Sequence, residues 1–480
     1  MIRSGWEAVI GLEIHVQLAT ASKLFTPAAN RYGDPPNRNV DPVVLGMPGV
    51  LPVLNAKAVE LAMRVGFALD CEVHKRSRFD RKHYFYADLT KGYQITQHLH
   101  PICTGGKVLA TIDGEDRSFR LNRIHIEEDA GKTIHDGRRG ISLVDYNRAG
   151  VPLIEVVSEP DMRSPEEAVA FMKALHQVVV ATGSSHGDME KGHFRCDANV
   201  SVRPVGQERL GTRTEMKNIN SFRFVGRAIT SEINRQIDLL EDGETVIQQT
   251  RLWDDDAGVS RAMRSKEEAH DYRYFPDPDL MVVEIDDATY EQVRASLPEL
   301  PRARKQRFEE VLGLSSYDAA LLTQSRARAD YFERVVDQGI EAKVAANWIS
   351  GELLGRLNKE DKDIEASPVP AHSMGELLRL LAQGQLSGKM AKQAFTAMIE
   401  TGVTAADWLK ANGGQITDSA AIGEIVDRIL QAHPSQAAEF RGGKEQLLGF
   451  FVGQVMKETR GKANPQAVNA ALRAALKGET

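Results

Sequence analysis

From Val9 to Leu18 apolar and polar side chains alternate: Leu12, Ile14, Val16 and Leu18 fall on one side, and Gly11, Glu13, His15 and Gln17 on the other. Alternation with period two predicts a β-strand with one face in a core. "RCDANVSVRP" (195–204) repeats it, with Cys196, Ala198, Val200 and Val202 opposite Arg195, Asp197, Asn199, Ser201 and Arg203. "RIHIEEDAGK" (123–132) sets Ile124 and Ile126 against His125 and Glu127, with Glu128 and Asp129 at the strand's end. "VPLIEVVSEPD" (151–161) carries Glu155 in an otherwise apolar strand, and "GTRTEMKNINSF" (211–222) puts Arg213, Glu215 and Lys217 on one face.

Helical periodicity is expected at 56–69, 165–182 and 222–241. The second of these opens with Ser164 as N-cap, Pro165 in the first position and Glu166 and Glu167 in the first turn, all favourable at a helix N-terminus. After "SLPELPRARKQRF" (296–308) apolar residues recur three and four apart, and a polar, Gly-containing break at 400–414 precedes a last helical stretch. The expected organisation is an α+β domain over 1–293, a helical connector over 294–404 and a small all-α tail over 405–480.

Length and composition narrow the class. A chain of 480 residues is too long for one core. Net charge −7 excludes a globally basic nucleic-acid binder, so any RNA contact must be local. Cys71, Cys103 and Cys196 form no CxxC pair, which argues against a disulfide framework. No apolar run reaches membrane-spanning length, and the first strand leaves no room for a leader. The expected location is the cytoplasm.

A solvated sheet face would account for any one of the five polar strand faces. Together they make a surface whose like charges repel unless cations lie between them. Carboxylates with an occasional imidazole suit Mg²⁺ or Mn²⁺, and interleaved Arg and Lys suit phosphate oxygens. The pattern therefore favours metal-assisted phosphoryl chemistry on an open sheet. Glycine-rich nucleotide signatures are missing: "AGKT" (130–133) ends like a phosphate-binding loop, but Ile126 stands where its first glycine belongs. ATP, if bound, would be held through metal-bridged carboxylates.

The segments "GLEIHVQL", "LGMPGVLPVLN" (45–55), "FDRKHYFYADLTKGYQITQ" (79–97), "HIEEDAGK", "DYNRAGVPLIEVVSEPD" (145–161), "RCDANVSVRP", "TEMKNINSF", "DYRYFPDPDL" (271–280), "ANWISGELLGRLN" (346–358) and "GQVMKETRGKANPQAVN" (453–469) occur in this order. With them the chain resembles, over essentially its whole length, the B-subunit family of the bacterial aspartyl/glutamyl-tRNA amidotransferases. The resemblance implies a glutamine synthetase-like antiparallel-sheet catalytic domain and a YqeY-like tail that binds tRNA. It also implies the reaction: the side-chain carboxylate of Glu-tRNA(Gln) or Asp-tRNA(Asn) is phosphorylated by ATP, and ammonia displaces the phosphate. Implied partners are a glutaminase A subunit and a small C subunit in a heterotrimer, the misacylated tRNAs and a non-discriminating synthetase.

By the same resemblance Glu13, His15, Glu128 and Glu155 are the first candidates as catalytic metal ligands, and Glu127, Asp197 and Glu215 join the cluster. Arg195 and Lys217 are candidates for ATP phosphates, and Lys82 and Tyr84 for the ammonia route or the tRNA acceptor end. The alternative is a solvated or salt-bridged sheet face for the acids, simple balancing of those acids for Arg195 and Lys217, and an ordinary hairpin for Lys82 and Tyr84. Many relatives carry a four-cysteine zinc site where this chain has Thr26, Ala28, Asp41 and Val44. No zinc is expected, and Pro-rich packing is expected to hold that loop. Between 441 and 477, Arg441, Lys444, Lys457, Arg460, Lys462, Arg473 and Lys477 face only Glu445 and Glu458, which suits an RNA backbone. Two other classes remain open: a tRNA-binding scaffold without chemistry, and a free-standing ligase for a small amine or carboxylate, which would leave the basic tail without a task.

Overall fold

The computed structural model describes residues 2–137, 139–265, 272–416, 418–459 and 461–477, without the side chains of residues 264, 265 and 477. It divides into two compact units, one ending at Pro301 and one starting at Arg302.

The first unit is built on a 13-stranded sheet. Its main strands are β1 (Trp6–Gln17), β2 (Asp80–His83), β3 (Tyr93–Thr96), β4 (Glu115–Glu128), β5 (Pro152–Ser158), β6 (Phe194–Pro204), β7 (Thr214–Lys217), β8 (Gln249–Asp254) and β9 (Val259–Ser265). They lie in the order β9-β8-β7-β6-β1-β5-β4-β3-β2. Neighbours along this order are antiparallel, except that β7 and β8 run parallel. The expected antiparallel sheet is thus mixed toward one edge.

Alternation along the strands sorts the two faces. Leu12, Ile14 and Val16 of β1, Ile124 and Ile126 of β4, Ile154 and Val156 of β5 and Cys196, Ala198 and Val200 of β6 share one buried core. Helices α1 (Ala56–Ala68), α2 (Pro165–Ala181) and α3 (Phe222–Glu241) supply its other half through Leu61, Phe171, Leu175, Val225 and Ile229. Apolar burial on that side fixes the register, because a one-residue slip of any strand would drive its polar set into the core. The α2 start follows its sequence signature: Ser164 Oγ accepts the Glu167 N–H at 3.1 Å, and the Glu167 carboxylate accepts the Arg163 N–H at 2.6 Å.

The loop over 26–44 is held by polar contacts more than by proline packing. The Thr26 hydroxyl donates to the Asp41 carboxylate, whose other oxygen accepts the Val44 N–H at 2.9 Å. Fully buried Lys23 braces the same loop, donating to the carbonyls of Asn39 at 2.5 Å and Tyr146 at 3.3 Å.

The second unit is helical and holds two separate apolar cores. One gathers Phe308, Phe332, Leu353, Leu378, Phe395 and their neighbours, and the other gathers Ile422, Val426, Phe451, Val455, Val468 and Leu472. No described helix is long and apolar enough to cross a membrane.

Lys23 gives the first unit a pH signature. Burial pulls its pKa down to about 8, against the raising charges of Asp41, Asp145 and Glu128. Between pH 8 and about 10.4 the unfolded lysine still holds a proton that the folded one has lost, so stability rises with pH there. In denaturant unfolding, the stability of the wild type relative to Lys23→Met should grow across that window. A constant difference would mean that Lys23 keeps its proton in the fold.

Candidate metal and phosphate site

The polar face of the sheet carries a cleft of about 1050 Å³, bordered among others by Glu13, His15, His125, Glu127, Glu155 and Lys217. Cross-strand register assembles it. Glu155 of β5 lies opposite His15 of β1 on one side and His125 of β4 on the other, and His15 lies opposite Arg195 of β6. One row of the sheet therefore reads His125, Glu155, His15, Arg195, so acid and base alternate until the last step. The next row places Glu13 opposite Asp197.

At the centre, two imidazoles and two carboxylates close a square. His15 Nε2 lies 3.4 Å from Glu127 and 3.6 Å from Glu155, and His125 Nε2 lies 3.3 Å from each. Glu127 and His125 are almost completely buried, whereas His15 and Glu155 keep part of their surface open to the cleft. Burial raises the cost of the two negative charges, but hydrogen bonds and charges from His125 and His15 overcome it and hold both carboxyls below their usual range. Burial also works against protonated histidines. The charges and hydrogen bonds of Glu155 and Glu127 outweigh it, raising His15 and bringing His125 to about 9.

A metal ion fits this donor set. Ligand atoms of His15, Glu127 and Glu155 lie within 4.8 Å of one another. A divalent cation among them would supply the positive charge that protons on the imidazoles otherwise provide. Two carboxylates and one imidazole suit Mg²⁺ or Mn²⁺ better than a thiolate-preferring metal.

Beside the square lies a second group. Lys217 donates to Asp197 at 2.6 Å and pairs with Glu215 at 3.0 Å, Thr250 donates to Glu215 at 2.8 Å, and Asn199 donates to Glu13 at 3.0 Å. Burial and the charges of Glu155, Glu215 and Asp197 push the Glu13 carboxyl up. The Lys217 ammonium moves up as well, because the charges and hydrogen bonds of Asp197 and Glu215 outweigh its burial.

Not every expected residue meets here. Glu128 follows Glu127 in a strand, so its side chain points to the opposite face. It forms an ion pair with Lys91 and accepts the Ile95 N–H at 2.9 Å, in a small pocket with Phe25 and Val44. Arg195 reaches Asp129 at 2.7 Å and does not border the cleft. Lys82 does border it, with its Nζ 4.8 Å from the Tyr272 ring centre, whereas Tyr84 stands behind, edge-on to Tyr86 and Tyr272. His125 is not among the expected ligands, although its alternation with Ile124 and Ile126 puts it on the right face. Tyr272 and Tyr274 reach the cleft from a segment with no strand signal of its own.

In the tail, Arg441 donates to the Leu476 carbonyl at 3.2 Å, Lys444 pairs with Glu439 at 2.9 Å, and Lys462 is tied to the Asn412 carbonyl. Lys457 and Arg473 are exposed. Arg460 and the side chain of Lys477 lie outside the described residues.

The site is an acid- and histidine-lined cleft on an open sheet, with a donor set that suits a divalent cation. Residues 8–291 match the GatB/GatE catalytic domain family, and residues 330–476 match the GatB domain. The chain belongs to the GatB/GatE family. It is 51% identical to a protein of Nitrosococcus oceani, covering 98% of this chain and 99% of the relative. It is 53% identical to one of Thioalkalivibrio sulfidiphilus, again over 98% and 99%. With one of Geobacter sulfurreducens it shares 52%, over 98% and 100%. All three relatives are named as the B subunit of aspartyl/glutamyl-tRNA(Asn/Gln) amidotransferase.

The geometry makes a test of the ligand set. Titration with Mn²⁺ followed by electron paramagnetic resonance should show binding to the wild type and to Glu128→Gln. His15→Ala, Glu127→Gln and Glu155→Gln should each weaken it about 10-fold or more. Loss of binding in Glu128→Gln alone would return that residue to the ligand set.

Proposed function

We propose that this chain is the kinase and amidating subunit of a tRNA-dependent amidotransferase. It phosphorylates the side-chain carboxylate of Glu-tRNA(Gln) or Asp-tRNA(Asn) with ATP, and ammonia from a glutaminase A subunit, braced by a C subunit, then displaces the phosphate. The observation that carries this reading is the square of His15, Glu127, Glu155 and His125 in an open cleft. A scaffold that only held RNA would be weakened by buried acids facing the phosphates.

A carboxylate is a poor electrophile, and an acyl phosphate gives it a leaving group. The reaction therefore needs the γ-phosphoryl group and an anionic carboxylate brought together against their mutual repulsion. His15, Glu127 and Glu155 would hold the metal, which neutralises phosphoryl charge when bound. Glu13, Asp197 and Glu215 line the adjoining wall, and the last two hold Lys217 in place, so its ammonium can donate to a phosphate oxygen. Lys82 keeps its charge although half-buried, because Glu127, Glu155 and the tyrosines nearby outweigh desolvation. It is placed to receive the substrate carboxylate. Arg195 restrains Asp129 at the sheet's end and acts on His15 by its charge alone.

Reconstitution with A and C partners tests the assignment directly. Conversion of misacylated tRNA to its amide should require ATP and Mg²⁺. Glu155→Gln should lower the single-turnover rate about 100-fold or more while glutamine hydrolysis by the A subunit continues. Amidation at an undiminished rate by Glu155→Gln would remove the square from the chemistry.

The tail is proposed as the tRNA anchor, through Lys457 and Arg473 above all, since Lys462 and Arg441 are engaged in bracing the fold. Replacing Lys457 and Arg473 by Ala should weaken cognate and non-cognate tRNA alike and flatten the log–log salt dependence by about one unit per contact. An unchanged slope would leave these residues as a solvated helix face.

A further inference from the structure

One wall of the cleft is aromatic and has no part in holding metal. His98 and Tyr274 are stacked with ring centres 4.0 Å apart and planes 5° from parallel, and both border the cleft. Tyr272 meets Tyr274 edge-on at 5.9 Å, and Tyr84 and Tyr86 continue the series behind it. The wall opens to solvent, for Tyr86 and its neighbour Phe85 are exposed. At its inner end the Lys82 ammonium sits over the Tyr272 ring, within reach of the charges of Glu127 and Glu155.

We infer that this wall, chiefly His98 and Tyr274, is the stacking platform for the 3′-terminal base of the aminoacylated RNA. The inference rests on the RNA substrate proposed above. The amino acid of such a substrate is esterified to the terminal ribose, so only a few bonds separate its side-chain carboxylate from the terminal base. When that carboxylate lies at the metal square, the base must lie within one nucleotide's reach of it. The flat surface bordering the square is this stack. A third flat ring laid against His98 or Tyr274 continues it, and base–aromatic stacking is the usual way a protein holds an unpaired RNA end. Room for a nucleotide base exists outside the aromatic wall. On the far side of Glu13 lies a separate pocket of about 220 Å³, lined by Val9, Gly11, Val157, Leu210 and Arg213 among others.

The test uses the full chain and deacylated tRNA whose terminal adenosine is replaced by fluorescent 2-aminopurine, which dims when stacked. Binding should quench the probe. His98→Leu and Tyr274→Leu should abolish the quench and weaken tRNA binding by about tenfold, while Tyr274→Phe retains both. On wild-type protein, tRNA lacking the terminal nucleotide should bind about tenfold more weakly than intact tRNA, a comparison that needs no variant and stays decisive even where a leucine variant folds poorly. Binding without quenching, or quenching that persists in both leucine variants, would overturn the platform and leave the RNA substrate standing. Release of the quench by ADP without release of the tRNA would assign the wall to the nucleotide and overturn the inference. If tRNA fails to bind at all, the RNA reading falls and this inference falls with it.

Discussion

Two carboxylates held together out of water repel each other, and the site is organised around that repulsion. Glu127 and Glu155 both face His125 and both face His15, so each negative charge has two basic nitrogens within 3.6 Å. Without those partners, burial would push protons onto the acids and the square would lose its affinity for a cation. With them, both carboxyls are held below their usual range and both imidazoles above theirs. The compensating charge is removable, because a divalent cation would replace the imidazole protons among the same side chains.

Such geometry depends on register, and register depends on the other face of the sheet. Ile14, Ile124, Ile126, Ile154 and Val156 are essentially inaccessible to solvent and lock β1, β4 and β5 against the helices. Because side chains alternate, fixing those apolar residues also fixes His15, His125, Glu127 and Glu155 on the opposite side. The helices contribute no ligand to the square, but they determine where its four members stand.

This coupling explains what could be read in the sequence. The strand faces, the helices α1, α2 and α3 of the first unit and the α2 cap follow from period and capping chemistry, which are local. Family membership is legible in long ordered motifs. Glu128 shows the limit. Glu127 and Glu128 are adjacent acids at a strand end, and choosing between them requires knowing that the strand keeps its alternation to the last residue, so that Lys91 and not the metal site meets Glu128. His125 obeys a visible pattern, but its weight as a partner of two acids emerges only when β5 lies between β4 and β1. Tyr272 and Tyr274 arrive from a segment distant in sequence, and no periodicity announces them. Thr26 and Asp41 replace an expected packing contact with a hydrogen bond across 15 residues of loop, which composition alone does not reveal.

The division of labour along the polar face follows from charge. The square and the Lys217 group are both acid-rich, so neither attracts a polyanion unless cations come with it or basic residues lie close by. Lys82 and Lys217 border the same cleft with their ammonium groups kept charged by the acids around them. Lys217 is thus held by carboxylates that it would partly exchange for a substrate oxygen, whereas Lys82 rests over the Tyr272 ring and feels Glu127 and Glu155 through charge alone. In the proposed reaction, a phosphate arriving with its metal would find Lys217 beside Asp197 and Glu215, and a side-chain carboxylate would find Lys82 near Glu127. Phosphate and carboxylate repel each other over that patch of sheet, and in the proposed reaction a cation between them offsets the repulsion. The alternating charges across β4, β5, β1, β6 and β7 would thus favour the two anions entering together with a metal ion.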